Sequence, residues 1–132
     1  MMEKHISVLL EESISSLNIK ENSTIVDCTL GYGGHSSKIL AELKKGFLFA
    51  FDQDGEAIRH STDRLSKIGT NFTIIKSNFV HLKEKLNELG IDKVDGVLFD
   101  LGVSTLLNSF ITLNIVFVFL IIGDISLKTG IA

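Results

Sequence analysis

Apolar and polar positions along this chain alternate between two rhythms. Short apolar runs recur at Thr24–Cys28, Phe47–Phe51, Phe72–Ile75 and Val94–Phe99. They are rich in β-branched and aromatic residues, which predicts buried strands. Between them, apolar residues fall three or four apart, the spacing of one helical face. Ser36–Leu43 thus predicts a helix with Ile39, Leu40 and Leu43 inward. Gly55 to about Ile68 predicts another, with Ala57, Ile58, Leu65 and Ile68 inward and Arg59, Asp63, Arg64 and Lys67 outward. Phe79, Leu82, Leu86 and Leu89 mark a third. Ahead of all of them, His5–Leu17 reads as an amphipathic helix that buries Val8, Leu9 and Leu17. Lys44-Lys45-Gly46, Gly69 and Gly90 are the expected helix ends. Strands alternating with helices in this way imply βαβ units, right-handed crossovers and an α/β fold with a parallel, doubly wound sheet.

From about Leu106 the pattern changes. Leu106–Ile122 is almost wholly apolar, and no charge appears until Asp124. Three readings arise: a membrane-spanning helix at the short end of the usual length, which is disfavoured, a buried strand suggested by the β-branched and aromatic content of Ile115–Ile122, or a segment foreign to the fold upstream, which the abrupt end of the charge alternation supports.

Bulk properties narrow the class. A length of 132 residues suits one domain with a modest core, and 45% hydrophobic with 22% charged residues is a globular composition. The net charge of −3 gives no global signal for nucleic acid, so any such contact needs a local patch or a part outside this sequence. The single cysteine, Cys28, excludes an internal disulfide and fits a reducing compartment. It reads as a small buried filler rather than a nucleophile, because no cation beside it in sequence lowers its pKa. No signal peptide is evident at the start of the chain.

Candidate chemistry gathers at the carboxyl ends of the strands. Gly31, Gly33 and Gly34 follow the first strand and allow positive φ and close approach of a ligand to the backbone. With the helix start after them, they form an anion- and nucleotide-receptive crevice. Gly31-Tyr32-Gly33-Gly34-His35-Ser36 breaks the dinucleotide fingerprint at Ser36, which argues against NAD. Asp27, Asp52 and Asp100 close three of the strand signals, so all three are expected to face one crevice. Asp52 is placed to hold the two hydroxyls of a ribose, with helix capping as its alternative; Asp54 reads as the cap. His35 is balanced between ligand contact and local hydrogen bonding. His5, His35, His60 and His81 are scattered, and with one cysteine they make no zinc pattern.

Five blocks of residues carry a family resemblance: His5–Glu12, Asp27–Ser36, Phe51–Asp54, Ser77–Phe79 and Val94–Ser104. In order and spacing, over residues 5–105, the chain resembles the bacterial ribosomal RNA small-subunit methyltransferase H (MraW) family. The resemblance implies a Rossmann-like S-adenosylmethionine-dependent methyltransferase fold, here an incomplete parallel sheet of the first four strands with flanking helices. It implies S-adenosylmethionine as cofactor and N4 of a cytidine in 16S ribosomal RNA as target. It also implies a cytoplasmic enzyme that works on the small ribosomal subunit without a metal. Carried over residue by residue, it puts Gly33, Gly34 and His35 along the methionine part of the cofactor and Asp52 at the ribose. Phe79 then lies against the adenine, and Asp100 approaches the reacting end as the catalytic candidate.

The match ends at Val103-Ser104-Thr105. The family continues with a Pro-Gln motif and an inserted helical domain that engages RNA, whereas here Leu106-Leu107-Asn108 follows. The expected organisation is therefore the first part of a methyltransferase domain at 1–105 and an atypical apolar tail at 106–132, which a frameshift or premature stop would explain. Residues 111–122 then either fill the place of the missing fifth strand or pack as a helix, the helix being favoured on length. In function, the alternative to the methyltransferase is an inactive fragment that retains at most cofactor binding.

Overall fold

A computed structural model describes residues 11–104 and 112–119. Residues 11–16 are helical (α1), followed by β1 (Thr24–Asp27), α2 (Gly34–Glu42), β2 (Phe47–Asp52), α3 (Gly55–Ser66) and β3 (Phe72–Lys76). A 3₁₀ turn at Phe79–His81 leads into α4 (Leu82–Glu88), and β4 (Gly96–Ser104) and β5 (Thr112–Phe119) complete the chain order. The sheet runs β3-β2-β1-β4-β5. The pairs β1–β2, β2–β3 and β1–β4 are parallel, as the alternation of strands and helices requires. This is the doubly wound parallel arrangement expected, with one addition at its edge.

That addition is β5. The helix favoured for residues 111–122 is not what forms: Thr112–Phe119 is a strand, antiparallel to β4 from Val97↔Phe119 to Ser104↔Thr112. An unpaired apolar β4 edge and a β-branched, aromatic partner outweigh the length argument, because the β4 backbone groups facing away from β1 gain ladder bonds. The pairing also lengthens β4. The sequence places its end at Asp100, but the ladder with β5 carries it to Ser104, while the parallel pairing with β1 stops at Asp27↔Leu98. Among the described residues no helix is long and apolar enough to cross a membrane. The expected core positions Val8 and Leu9 lie outside the described residues, as do 105–111 and 120–132.

Both faces of the sheet are covered, as interior parallel strands demand. On one side Ile25, Leu48, Ala50 and Leu98 pack with Ile14 and Leu17, with Ile39, Leu40 and Leu43, and with Leu65. On the other, Val26, Cys28, Phe49, Phe51 and Val97 pack with Leu82 and Leu86 of α4. Three residues of the expected helical faces are exposed: Ile68 and Leu89, each beyond the last turn of its helix, and Phe79, in the 3₁₀ turn before α4.

The helix ends divide similarly. Gly90 takes φ +78°, and α4 closes with Gly90 N–H on the Asn87 carbonyl and Ile91 N–H on the Leu86 carbonyl, the Schellman pairing. Gly46 does not cap α2, which has already ended at Glu42, and neither Lys44 nor Lys45 lies in its last turn. Glycine is needed there for another reason: a Cβ on Gly46 would run into the Ser23 carbonyl, where the chain enters β2 beside β1. Gly69 donates its N–H to the Leu65 carbonyl just past α3.

Candidate functional site

The site starts from the end of β1. Asp27 is fully buried, and its Oδ2 accepts the Ser36 hydroxyl at 2.6 Å while Oδ1 accepts the Thr29 N–H at 3.0 Å. Burial raises its pKa above the ordinary carboxylate range, against the lowering effect of those two hydrogen bonds. The acid expected in the crevice is thus beneath it, bracing the turn between β1 and α2. Burial, with the nearby Asp27 charge, also pushes the Cys28 thiol up, so Cys28 is a neutral thiol in the wall and no nucleophile.

The turn itself is pinned from two sides. Gly31 takes φ +53° and Gly33 φ +87°, whereas Gly34 is already the first residue of α2. The Gly31 N–H donates to Asp52 Oδ2 at 2.8 Å, and the Gly31 carbonyl accepts the hydroxyl of the buried Ser61 at 2.6 Å. A Cβ on Gly33 would sit 3.2 Å from the same Ser61 oxygen, so glycine is needed here both for its φ and for space. Among the described residues, beyond its chain neighbours and its own helical turn, no side chain or backbone lies within 4 Å of where a Gly34 Cβ would be, which leaves its backbone approachable.

Opposite the turn, the ends of β2 and β3 complete a cavity of about 330 Å³ lined by Gly31, Asp52, Phe79 and Asp100 together with Cys28, Thr29, Phe51, Gln53, Ser77 and Asn78. That volume is in the range of small-molecule sites. Asp52, the last residue of β2, also accepts the Asp54 N–H on Oδ1 at 2.9 Å. Its two oxygens offer about four acceptor positions, and these bonds use two, so the carboxylate keeps capacity for a ligand. Asp54 is the cap of α3, accepting the Glu56 N–H at 3.0 Å. Phe79 stands at the mouth with 37% of its surface exposed and its ring edge-on to Phe99, centroids 5.3 Å apart.

At the β4 side, His35 Nδ1 lies 3.5 Å from Asp100 Oδ2. The other polar atom of each, His35 Nε2 and Asp100 Oδ1, is buried with no hydrogen-bond partner among the described residues. A buried polar atom left so costs about 1–3 kcal/mol, a cost that a water, an ion or a ligand can relieve. Among the described residues no group of three or more His, Cys, Asp or Glu is placed to hold a metal ion.

The sequence that builds this cavity has counterparts in known proteins. The model of the MraW methylase family matches residues 2–109, most of the chain. The chain belongs to the MraW methylase family. Ribosomal RNA small subunit methyltransferase H 1 of Acholeplasma laidlawii is 62% identical over 102 residues, which cover 77% of this chain and 34% of that protein. Ribosomal RNA small subunit methyltransferase H of Mesoplasma florum is 59% identical over 104 residues, 79% of this chain and 34% of the relative. The chain thus spans about a third of the length of the curated relatives it matches. Among solved structures, precorrin-6y C5,15-methyltransferase from Geobacter metallireducens superposes with a TM-score of 0.58 at 14% identity, over 74% of this chain and 62% of that one. That likeness shows the fold alone.

Of the residues singled out from the sequence, Asp52, Phe79 and Asp100 line one cavity, and His35 touches it through Asp100. Gly33 and Gly34 shape the turn beside the cavity and are not among its lining residues. Gly31 lines it instead. Thr29, Gln53, Ser77 and Asn78 also line it; the sequence assigns them no role, although all four lie in the blocks that carry the family resemblance. Ser61 had no signal at all: a serine inside a helix reads as solvent-facing until the turn it holds is packed against it.

Proposed function

We propose that this chain carries the S-adenosylmethionine-binding part of an enzyme that methylates N4 of a cytidine in 16S ribosomal RNA, in the cytoplasm. What carries the reading is the convergence of Asp52, Phe79 and Asp100 on one cavity roofed by the Gly31 backbone. The names of the relatives, ribosomal RNA small subunit methyltransferases, support the substrate class.

The residues fit the cofactor group by group. Asp52 has acceptor capacity for a ribose diol, and Phe79 offers an apolar face for an adenine ring. Gly34, beside Gly33 in the turn, presents open backbone at the start of α2 to the methionine part, where His35 Nε2 supplies a polar partner. When bound, S-adenosylmethionine supplies a methyl group activated by its sulfonium. The work left to the protein is positioning. Asp100 is the catalytic candidate: its unpartnered Oδ1 is an acceptor for an N–H of the target amine and a place for the proton that leaves it.

Isothermal titration of the chain with S-adenosylmethionine tests the cofactor reading, and absence of binding overturns it. Transfer of a labelled methyl group to unmodified small ribosomal subunits, lost in Asp100→Ala, tests the enzymatic reading. Binding without transfer selects the alternative of a cofactor-binding fragment.

A further inference from the structure

β4 leaves β1 before it reaches the site. Their pairing ends at Asp27↔Leu98, with one more bond from the Cys28 N–H to the Leu98 carbonyl at 2.9 Å. Beyond it β1 turns away: the Leu30 N–H already bonds to the Phe51 carbonyl of β2. The Asp100 N–H therefore has no main-chain carbonyl of β1 to meet. A side chain takes that place, the Thr29 hydroxyl, which accepts the Asp100 N–H at 2.7 Å. Thr29 is in turn held by its own N–H on the buried Asp27 carboxylate. A buried anchor, a hydroxyl and a strand amide thus form one line from the core of the β1 turn to the residue that faces His35.

We infer that Thr29 is a positioning residue: its hydroxyl substitutes for a missing rung of the sheet and sets where the Asp100 carboxylate stands relative to His35 and the cavity. Thr29 lies in the Asp27–Ser36 block, but a threonine after a strand reads as a turn residue, and the sequence gives it no role. The assignment rests on the cofactor reading for its functional consequence, though not for its geometry. Without the hydroxyl, the amide of Asp100 loses its acceptor, and the strand is free to shift the carboxylate by the small distances that decide alignment.

The test compares Thr29→Val, which keeps the shape and removes the acceptor, with Thr29→Ser, which keeps it. Three quantities are read on the whole chain: exchange of the Asp100 amide proton by NMR, and affinity for S-adenosylmethionine and for adenosine, which lacks the methionine part. Thr29→Val is expected to speed Asp100 amide exchange and to weaken S-adenosylmethionine binding about tenfold, the scale of one hydrogen bond, and to weaken adenosine binding less, Thr29 itself being part of the cavity wall. Thr29→Ser is expected to restore both toward the wild type. Equal loss of both ligands in Thr29→Val, or no rescue by serine, overturns the assignment in favour of a merely structural threonine. Failure of the wild-type chain to bind S-adenosylmethionine overturns the cofactor reading instead. The amide exchange still decides the latch, because protection of Asp100 equal in wild type and Thr29→Val refutes it.

Discussion

The two walls of the cavity are built differently. The wall from β1 and α2 is braced from within: buried Asp27, Ser36 and Ser61 hold the turn by bonds of 2.6–3.0 Å, and Thr29 ties it to β4. The wall from β3 rests on local contacts. Ser77 N–H meets the Asp52 carbonyl, Asn78 caps the 3₁₀ turn through the Val80 N–H, and Phe79 leans on Phe99 while more than a third exposed. Buried hydrogen bonds in a low dielectric hold geometry firmly, and an exposed ring on a short turn does not. The braced wall suits polar groups that need fixed directions, and the looser wall suits a flat ring that needs only an apolar face. On the proposed function, the first meets the methionine end and the second the adenine.

Asp52 joins the two walls, and breaking it has the largest expected effect. Asp52→Ala removes the carboxylate proposed to hold the ribose and frees the Gly31 and Asp54 amides at once. With about 1.5–3 kcal/mol for a hydrogen bond to a charged group, titration calorimetry should show S-adenosylmethionine affinity falling at least tenfold. Ser61→Ala tests the braced wall alone. It strips the Gly31 carbonyl of its donor, and urea unfolding should register a loss of about 1–2 kcal/mol. An undiminished midpoint would mean that the turn holds itself.

Phe79→Ala probes the looser wall. It should cost ligand affinity about 0.5–1.5 kcal/mol while leaving the unfolding midpoint nearly unchanged, since the ring is part exposed and its main partner is Phe99. A stability loss as large as that of Ser61→Ala would erase the distinction between the walls. The smallest effect is on pH dependence. Asp27 has a folded pKa raised by burial, so the folded state binds its proton more tightly than the unfolded chain. Its contribution is fully present below the ordinary carboxylate pKa and is lost as pH rises through the raised one. Asp27→Asn, neutral at every pH and able to keep the Thr29 N–H bond, should flatten that slope in thermal melts taken across the acid range.

Much of this was legible in the residues. The apolar runs and helical spacings placed β1 to β4 and α2 to α4, because burying one face of each element leaves a periodic trace. The acids at strand ends and the glycine turn located the crevice, because parallel strands deliver their carboxyl ends to one edge. The pattern could not tell which acid faces a ligand and which lies beneath: Asp27 and Asp52 each end a strand, and only the packing of Ser36 over Asp27 separates them.

By itself, then, the sequence determined the alternation of elements, the parallel core of the sheet, the family and the neighbourhood of the site, since these follow from local pattern and strand direction. Tertiary structure decided what depends on contacts between distant segments. Residues 112–119 became a strand because β4 offered an open edge. Ser61 reached Gly31 across 30 positions and Thr29 met Asp100 across 71, and such pairings leave no mark in either segment until the chain is folded.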